Sequence, residues 1–427
     1  MSPPTPAMSA HHEPHDDIIY PDTVPFLLVH LACLGVLWTG FTTTSVILAI
    51  SLYVIRMFAI TAGFHRYFSH KSFKTSRVGQ FLLAFVGQMS AQRGTLWWAA
   101  KHRDHHKHSD TPEDVHSPRH MGFFGAHVGW IFQQRNKTAD YSRIPDLTRY
   151  PELVWLNRHD LLPAFLLAII CVAIDGWAGL FVGFFLSTVV LYHCTFMINS
   201  LAHVYGKQRY VTGDDSRNNW LLAVITLGEG WHNNHHHFQA STRQGFRWWE
   251  IDITYYILVA MSWVGLVWDL KAPPAEVVRN EKPLPRPVVE KVARQLAASF
   301  SVDAISARVR ETWRECPTMS EVLADAQAAK LRLQERLPDM PELPSLAEAR
   351  EQWAARLADL PELPSLESMH RDLMARLPEM PELPSLDEMR SRAREQLAHT
   401  PSLDVIAQRA RELLSEAVSE RLVLQPA

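Results

Sequence analysis

The sequence predicts an all-α integral membrane protein: four transmembrane helices, a cytoplasmic helical cap lined with histidine, and a separate helical tail. Three observations predict it: long apolar runs with almost no charge, histidines at helical spacing beside those runs, and a strict repeat of twenty residues beyond position 340. The 47% hydrophobic share of the 427 residues is ordinary, but apolar residues gather in the first two thirds and charges in the last third. A net charge of −3 gives no general basic character, which argues against nucleic acid as a partner. The four cysteines (Cys33, Cys171, Cys194 and Cys316) form no C-x-x-C pair, which argues against a zinc ribbon or a disulfide scaffold. Residues 1–23 hold Pro, His and Asp but no Lys or Arg, and read as a disordered polar tail without a secretory leader.

Residues 24–270 carry the apolar runs. Phe26 to Phe41 and Val46 to Ala62 are joined by the uncharged Thr42-Thr43-Thr44-Ser45 and read as a membrane hairpin. Leu161 to Ala173 and Leu180 to Ile198 form a second, turning at Asp175-Gly176. Both turns lack Lys and Arg, whereas 64–160 is rich in them, so that segment and the chain after 199 are expected on the cytoplasmic side. Phe81 to Met89 and Tyr255 to Trp268 are apolar enough to lie in the interface.

Four histidine clusters fall on that side: His65 with His70, His102-Arg-Asp-His105-His106, Asn199 with His203, and His232-Asn-Asn-His235-His236. Helix positions i, i+3 and i+4 share a face, so each H-x-x-H-H run presents three imidazoles together. His65 and His70 are five apart and need a helix end or a distortion to converge. Neutral imidazole ligates metals well, and nine ligands exceed the four of one ordinary zinc site, so the set suits two metals. His116, His120, His127, His193 and His237 lack such spacing and read as supporting or structural. Glu-x-x-His pairs of a soluble di-iron bundle occur at Glu113/His116, Glu229/His232 and Glu367/His370, too scattered to form one site.

The order H-x4-H, H-R-x-H-H, N-S-x-A-H and G-E-G-W-H-N-N-H-H resembles the membrane fatty acyl-CoA desaturases of the delta-9 (stearoyl-CoA) type over roughly residues 20–270. Thr61-Ala-Gly-Phe-His65, Asp114-x-His116-Ser and Gly122-Phe-Phe-x-x-His127-x-Gly-Trp130 support it. The resemblance implies two iron ions held by His65, His70, His102, His105, His106, His203, His232, His235 and His236, with Asn199 acting through water. It implies an acyl tunnel bent by Gln92, Trp98 and Thr195, with Arg103 placed to meet an anionic head group. Asp104, Asp110 and Glu229 are candidates to orient the ligands. The implied reaction is O2-dependent insertion of a cis double bond into an acyl chain, acyl-CoA foremost, with electrons from an external ferredoxin or cytochrome-b5-like donor. A hydroxylase on the same metal site is the alternative. A His-rich transporter or sensor would need more ionisable residues inside the apolar helices than His30, Arg56 and His193.

Lys271-Ala-Pro-Pro opens a proline-rich linker, 271–290, and 291–427 reads as amphipathic helices. Pro-Glu-Leu-Pro-Ser-Leu recurs from Pro341, Pro361 and Pro381. Ser345 with Glu348 and Ser385 with Glu388 fit capping boxes. This tail is expected to serve association or the membrane surface.

Overall fold

Helix follows helix because apolar runs with few breakers have no other way to satisfy their backbone in an apolar setting. The computed structural model describes residues 24–315, 324, 327–328, 331 and 383–424. The chain divides into two compact units, 1–288 with 396–402, and 289–395 with 403–427.

In the first unit, α1 (Val24–Ala32) continues through a 3-10 turn and Val36–Thr39 to Gly40. Gly40 turns the chain at φ +67°, a backbone that side chains other than glycine's resist. A capping box then starts α2 (Thr43–Phe58): Ser45 N donates to Thr42 Oγ1 at 2.9 Å, and Thr42 N donates to Ser45 Oγ at 3.0 Å. α2 runs on into a π-helix, Ala59–Ser69. Later come α6 (Leu162–Ala178), a second π-helix (Gly179–Leu186) and α7 (Ser187–Asn199). The backbone leaves helical geometry at Asp175 and Gly176, where the run folds back. A Cβ on Gly179 would sit 2.1 Å from the Cys171 carbonyl oxygen, so only glycine permits that turn. The Thr42 hydroxyl donates to Asp175, and Trp38 lies 6.0 Å from Trp177, so both turns meet at one end.

Thr43–Ser69 and Leu162–His203 are long and apolar enough to cross a membrane. Val24–Thr39 is apolar but shorter than the ~20 residues a crossing takes, so the expected first arm is incomplete by length. Leu28, Leu31, Ile47, Ile50, Phe165 and Ile169 point outward, exposed. Inside, fully buried Arg56 of α2 donates to Ser187 and Thr188, each at 2.6 Å, and to Leu52 O at 3.0 Å.

The cap begins with α3 (Arg77–Gln88), α4 (Thr95–His108) and α5 (Pro118–His127). Phe64, Phe68, Ala84, Leu96, Leu153 and Leu156 form its core. Of the expected interfacial run Phe81–Met89, Phe81–Gln88 lies in α3, with Ala84 in the core and Leu82 exposed. α8 (Trp220–Ile225), α9 (His232–His237) and α10 (Ile253–Trp263) follow. The helix expected to reach Trp268 ends at Trp263. Gly265 turns at φ +74°, and Val267–Trp268 pairs antiparallel with Lys74–Thr75.

In the second unit, α11 (Arg286–Ala298), α12 (Val302–Glu315), α13 (Leu386–Gln396) and α14 (Leu403–Leu424) bury Val292, Leu296, Ile305, Met389, Ile406 and Leu414. Arg409 pairs with Glu290 at 2.8 Å and Arg421 with Asp303 at 3.0 Å. The expected linker 271–290 contains a short helix, Ala275–Val278, and the start of α11. Glu388 N donates to Ser385 Oγ at 3.2 Å, as the capping pattern predicts for the third repeat. Ser345 and Ser365 of the other repeats, and residues 1–23, lie outside the described residues.

A buried guanidinium that ties two apolar helices through charge-assisted hydrogen bonds contributes about 3 kcal/mol. Arg56→Ala is expected to lower the melting temperature of the detergent-purified protein by several degrees. Arg56→Lys should recover part of that loss, since one ammonium cannot match both arms of the fork.

Candidate metal centre

His65 and His70 would lie about 140° apart around an α-helix, at about 100° per residue. The π-helix removes the conflict: His70 N donates to His65 O at 3.2 Å, a five-residue step that stacks one histidine over the other. α4 presents His102, His105 and His106, and α9 presents His232, His235 and His236.

These side chains gather into two groups. His65, His70, His102, His106 and His235 place their ligand nitrogens within 4.8 Å of one another, and so do His105, His203, His232 and His236. All nine histidines singled out by spacing are in them. Each H-x-x-H-H triplet is divided rather than committed to one side. His102 and His106 join the first group and His105 the second; His235 joins the first, His232 and His236 the second. His105, Asp114 and His116 make a further overlapping group.

The nitrogens are arranged to hold a cation. In the first group Nε2 contacts run His70–His102–His106–His235–His65, each at 2.9 Å. A neutral imidazole nitrogen carries either a proton or a lone pair, so successive contacts in such a chain cannot all be hydrogen bonds. Carboxylates fix several rings from behind. His105 Nδ1 meets Asp114 at 3.0 Å, His203 Nδ1 meets Asp110 at 2.8 Å, His236 Nδ1 meets Asp214 at 2.8 Å, and His65 Nδ1 meets Glu229. Each carboxylate accepts a hydrogen bond from Nδ1–H and leaves the Nε2 lone pair facing inward, the arrangement metal-bound histidine adopts. In the second group His203 Nε2 lies 3.0 Å from His232 Nε2, and His236 Nε2 is buried without a protein partner. The residues present thus fit two metal ions.

Electrostatics agree. Burial first, and neighbouring imidazoles second, hold His70, His102, His106, His232 and His235 well below the ordinary imidazole pKa, so they stay neutral. Burial alone would raise Asp110, Asp114 and Asp214, but their imidazole partners and hydrogen bonds hold them below the usual carboxylate range.

Of the three expected orienting carboxylates, Asp110 and Glu229 touch ligand histidines. Asp104 does not: it pairs with Arg143 at 2.8 Å and lies 3.2 Å from His108. Asp114 and Asp214 take that work. Asp114 stood in a noticed motif, but its link to His105, nine residues away, follows from the turn at 109–115 rather than from spacing. Asp214 has no local signal. Arg66, fully buried, braces the cluster by pairing with Glu229 at 3.1 Å and Asp252 at 2.9 Å.

A cavity of about 1320 Å³, counting its open mouth, reaches this centre; Gln92, Trp98, His102, Thr195 and Asn199 line it with Phe26 and Tyr192. Gln92 donates to Thr195 at 3.3 Å, and Trp98 stacks on His102 at 4.8 Å. Arg103 is not on the cavity. It donates to Asp146 through both terminal nitrogens, at 2.7 and 3.0 Å, and to the carbonyls of Phe68, Ser69 and Arg143, which leaves it no free face for a head group. His127 and His193 stand apart from both groups, linked at 3.0 Å, with His193 3.2 Å from His30.

Comparison with known proteins finds the fatty acid desaturase family matching residues 38–262. An sn-1 stearoyl-lipid 9-desaturase of Anabaena variabilis is 36% identical over 253 residues, 58% of this chain and 93% of the relative. An acyl-CoA 5-desaturase of Anemone leveillei is 36% identical over 249 residues, 57% of this chain and 77% of the relative. The chloroplastic palmitoyl-monogalactosyldiacylglycerol delta-7 desaturase of Arabidopsis thaliana is 37% identical over 237 residues, 55% of this chain and 64% of the relative.

The carboxylates make a separable prediction. Losing a hydrogen-bond partner behind a ligand histidine weakens metal affinity about 10–100-fold. Asp214→Ala is expected to lower metal retained after dialysis against a chelator from two ions per chain toward one, by depleting the second group. Glu229→Gln should deplete the first group instead, with the two losses distinguished by iron spectroscopy.

Proposed function

The chain belongs to the fatty acid desaturase family, and on that premise we propose that it is an integral-membrane acyl desaturase inserting a cis double bond at the delta-9 position of an acyl chain carried by coenzyme A. In this reading the chain crosses the bilayer four times and its metal centre faces the cytoplasm. The domain arrangement is a desaturase domain over 24–270, a linker, and a helical tail from 291. The observation that carries the reading is the convergence of nine histidines into two carboxylate-braced groups beside a cavity whose wall includes His102 and Asn199.

Two iron ions held by those histidines would supply the O2 chemistry, with electrons from an external ferredoxin or cytochrome-b5-like donor. The protein's own part is positional. The apolar wall of Phe26, Tyr192 and Phe196 takes up the acyl chain and excludes water. The Gln92–Thr195 bond and the Trp98 ring shape the passage beside His102. Asp110, Asp114, Asp214 and Glu229 hold the imidazoles in one tautomer. Asn199, on the cavity wall, would hold a metal through water.

Among the relatives the bond position and the carrier both vary by name, from 5 to 9 and from acyl-CoA to acyl-lipid. The test is the fatty-acid profile, by gas chromatography and mass spectrometry, of a desaturase-deficient host that expresses this chain with a compatible electron donor. A new cis-9 monounsaturated acid, absent with His235→Ala or His236→Ala, is the expected result. A double bond elsewhere would correct the position, a hydroxy acid would move the reading to a hydroxylase, and an unchanged profile would sink the proposal. Membranes assayed with labelled acyl-CoA and with labelled phospholipid separate the two carriers.

A further inference from the structure

The segment between His203 and His232 carries two histidines of the second group at its ends, and its middle exposes apolar surface. α8 has six residues, and three are large, apolar and exposed: Trp220 at 69%, Leu221 at 53% and Val224 at 48%. Leu222 and Ala223, on its other face, are buried at 1%. They pack onto the turn before His232, where a Cβ on Gly230 would lie 2.0 Å from Ala223 N. Val204 and Tyr205, directly after His203, are also exposed, at 53% and 69%, and Asn219 joins them to α8 by donating to Tyr205 O at 3.4 Å. Five outward apolar side chains, on two short pieces of chain joined through Asn219, are more than a cap facing water would leave open.

What covers this patch is fixed by where it sits. Tyr53 Oη of α2 donates to Ile225 O, the last residue of α8, at 2.5 Å. Leu227 packs with Met57 of the same helix. Tyr53 and Met57 lie ten and fourteen residues beyond Thr43, the start of α2. At ~1.5 Å per residue this is ~15 and ~21 Å along the helix, within the ~30 Å hydrocarbon thickness that α2 has to cross. A helix bonded to that level, with its apolar face outward, meets whatever surrounds α2. Lys207, exposed and bridged to Asn218 just before α8, is placed to carry its ammonium to the head groups.

We propose that α8 together with Val204 and Tyr205 is a wedge inserted into the acyl-chain region of the leaflet on the metal side, so that lipid anchors the loop bearing His203 and His232. This rests on the membrane-spanning reading of α2. It adds a protein–lipid contact outside the spanning helices, made by chain that lies between two of the proposed metal ligands.

The experiment is depth measurement by spin label. Leu221→Cys and, separately, Val224→Cys are introduced into full-length protein whose native cysteines are replaced, and only preparations that keep two metal ions per chain are used. The protein is reconstituted in vesicles of phosphatidylcholine and phosphatidylglycerol. Collisional access to O2 is compared with access to a water-soluble nickel chelate. Ile47→Cys on the outward face of α2 serves as the lipid reference and Asp140→Cys as the water reference. Leu221 and Val224 labels that follow Ile47, with O2 access exceeding nickel access severalfold, bear the wedge out. Labels at both positions that follow Asp140, while Ile47 reads as lipid, overturn the wedge and leave the spanning helices intact. An Ile47 label that reads as water overturns the membrane reading and the wedge with it.

Discussion

Imidazole nitrogens brought within 2.9 Å of one another cannot all carry protons, and a carboxylate behind a ring decides which of its nitrogens does. That constraint organises the cap. Asp110, Asp114, Asp214 and Glu229 lie behind four of the nine rings, and each is itself buried and held. Asp214 accepts from Thr212 at 2.7 Å and from Ser216 at 2.6 Å; Asp110 accepts from Ser117 at 2.6 Å. Glu229 is shared between His65 and buried Arg66, which also engages Asp252, the N-cap of α10. Without these layers the converging lone pairs would repel, and burying so many polar groups would cost far more than apolar packing returns.

The backbone obeys the same demand. A regular α-helix would carry His70 away from His65, so the helix widens where the two must overlap. Such a π segment is weaker than the α-helix it interrupts, and it persists because Phe64 and Phe68 within it are fully buried against α3 and α4. The glycine turns at Gly40 and Gly176 bring the long helices back so that their distant ends deliver histidines to one place.

Much of this was legible in order along the chain. Spacing named all nine clustered histidines, because i, i+3 and i+4 is a local rule and each cluster adjoins an apolar run. It also required a distortion between His65 and His70, which the π-helix supplies. What spacing could not show was tertiary. Division of each triplet between two groups depends on α4 and α9 facing each other across the site. The partnership of Asp214 with His236 spans 22 residues that include α8 and the turn before α9. Nor could spacing show the partners of Arg103: an arginine beside a ligand histidine reads as a head-group contact or as a solvated surface residue, whereas the fold gives it Asp146. Likewise Val24–Thr39 and the run to Trp268 were apolar enough to suggest longer helices, but backbone turns at Gly40 and Gly265 end them.

Because α4 and α9 each give side chains to both groups, the two halves of the centre are interleaved along the chain. Any contiguous fragment that contains all of one half also carries histidines of the other, so neither half can be cut out as a separate mononuclear module. A one-metal version of this protein is reached by point substitution within the intact helices, which leaves the pairing of α4 and α9 in place.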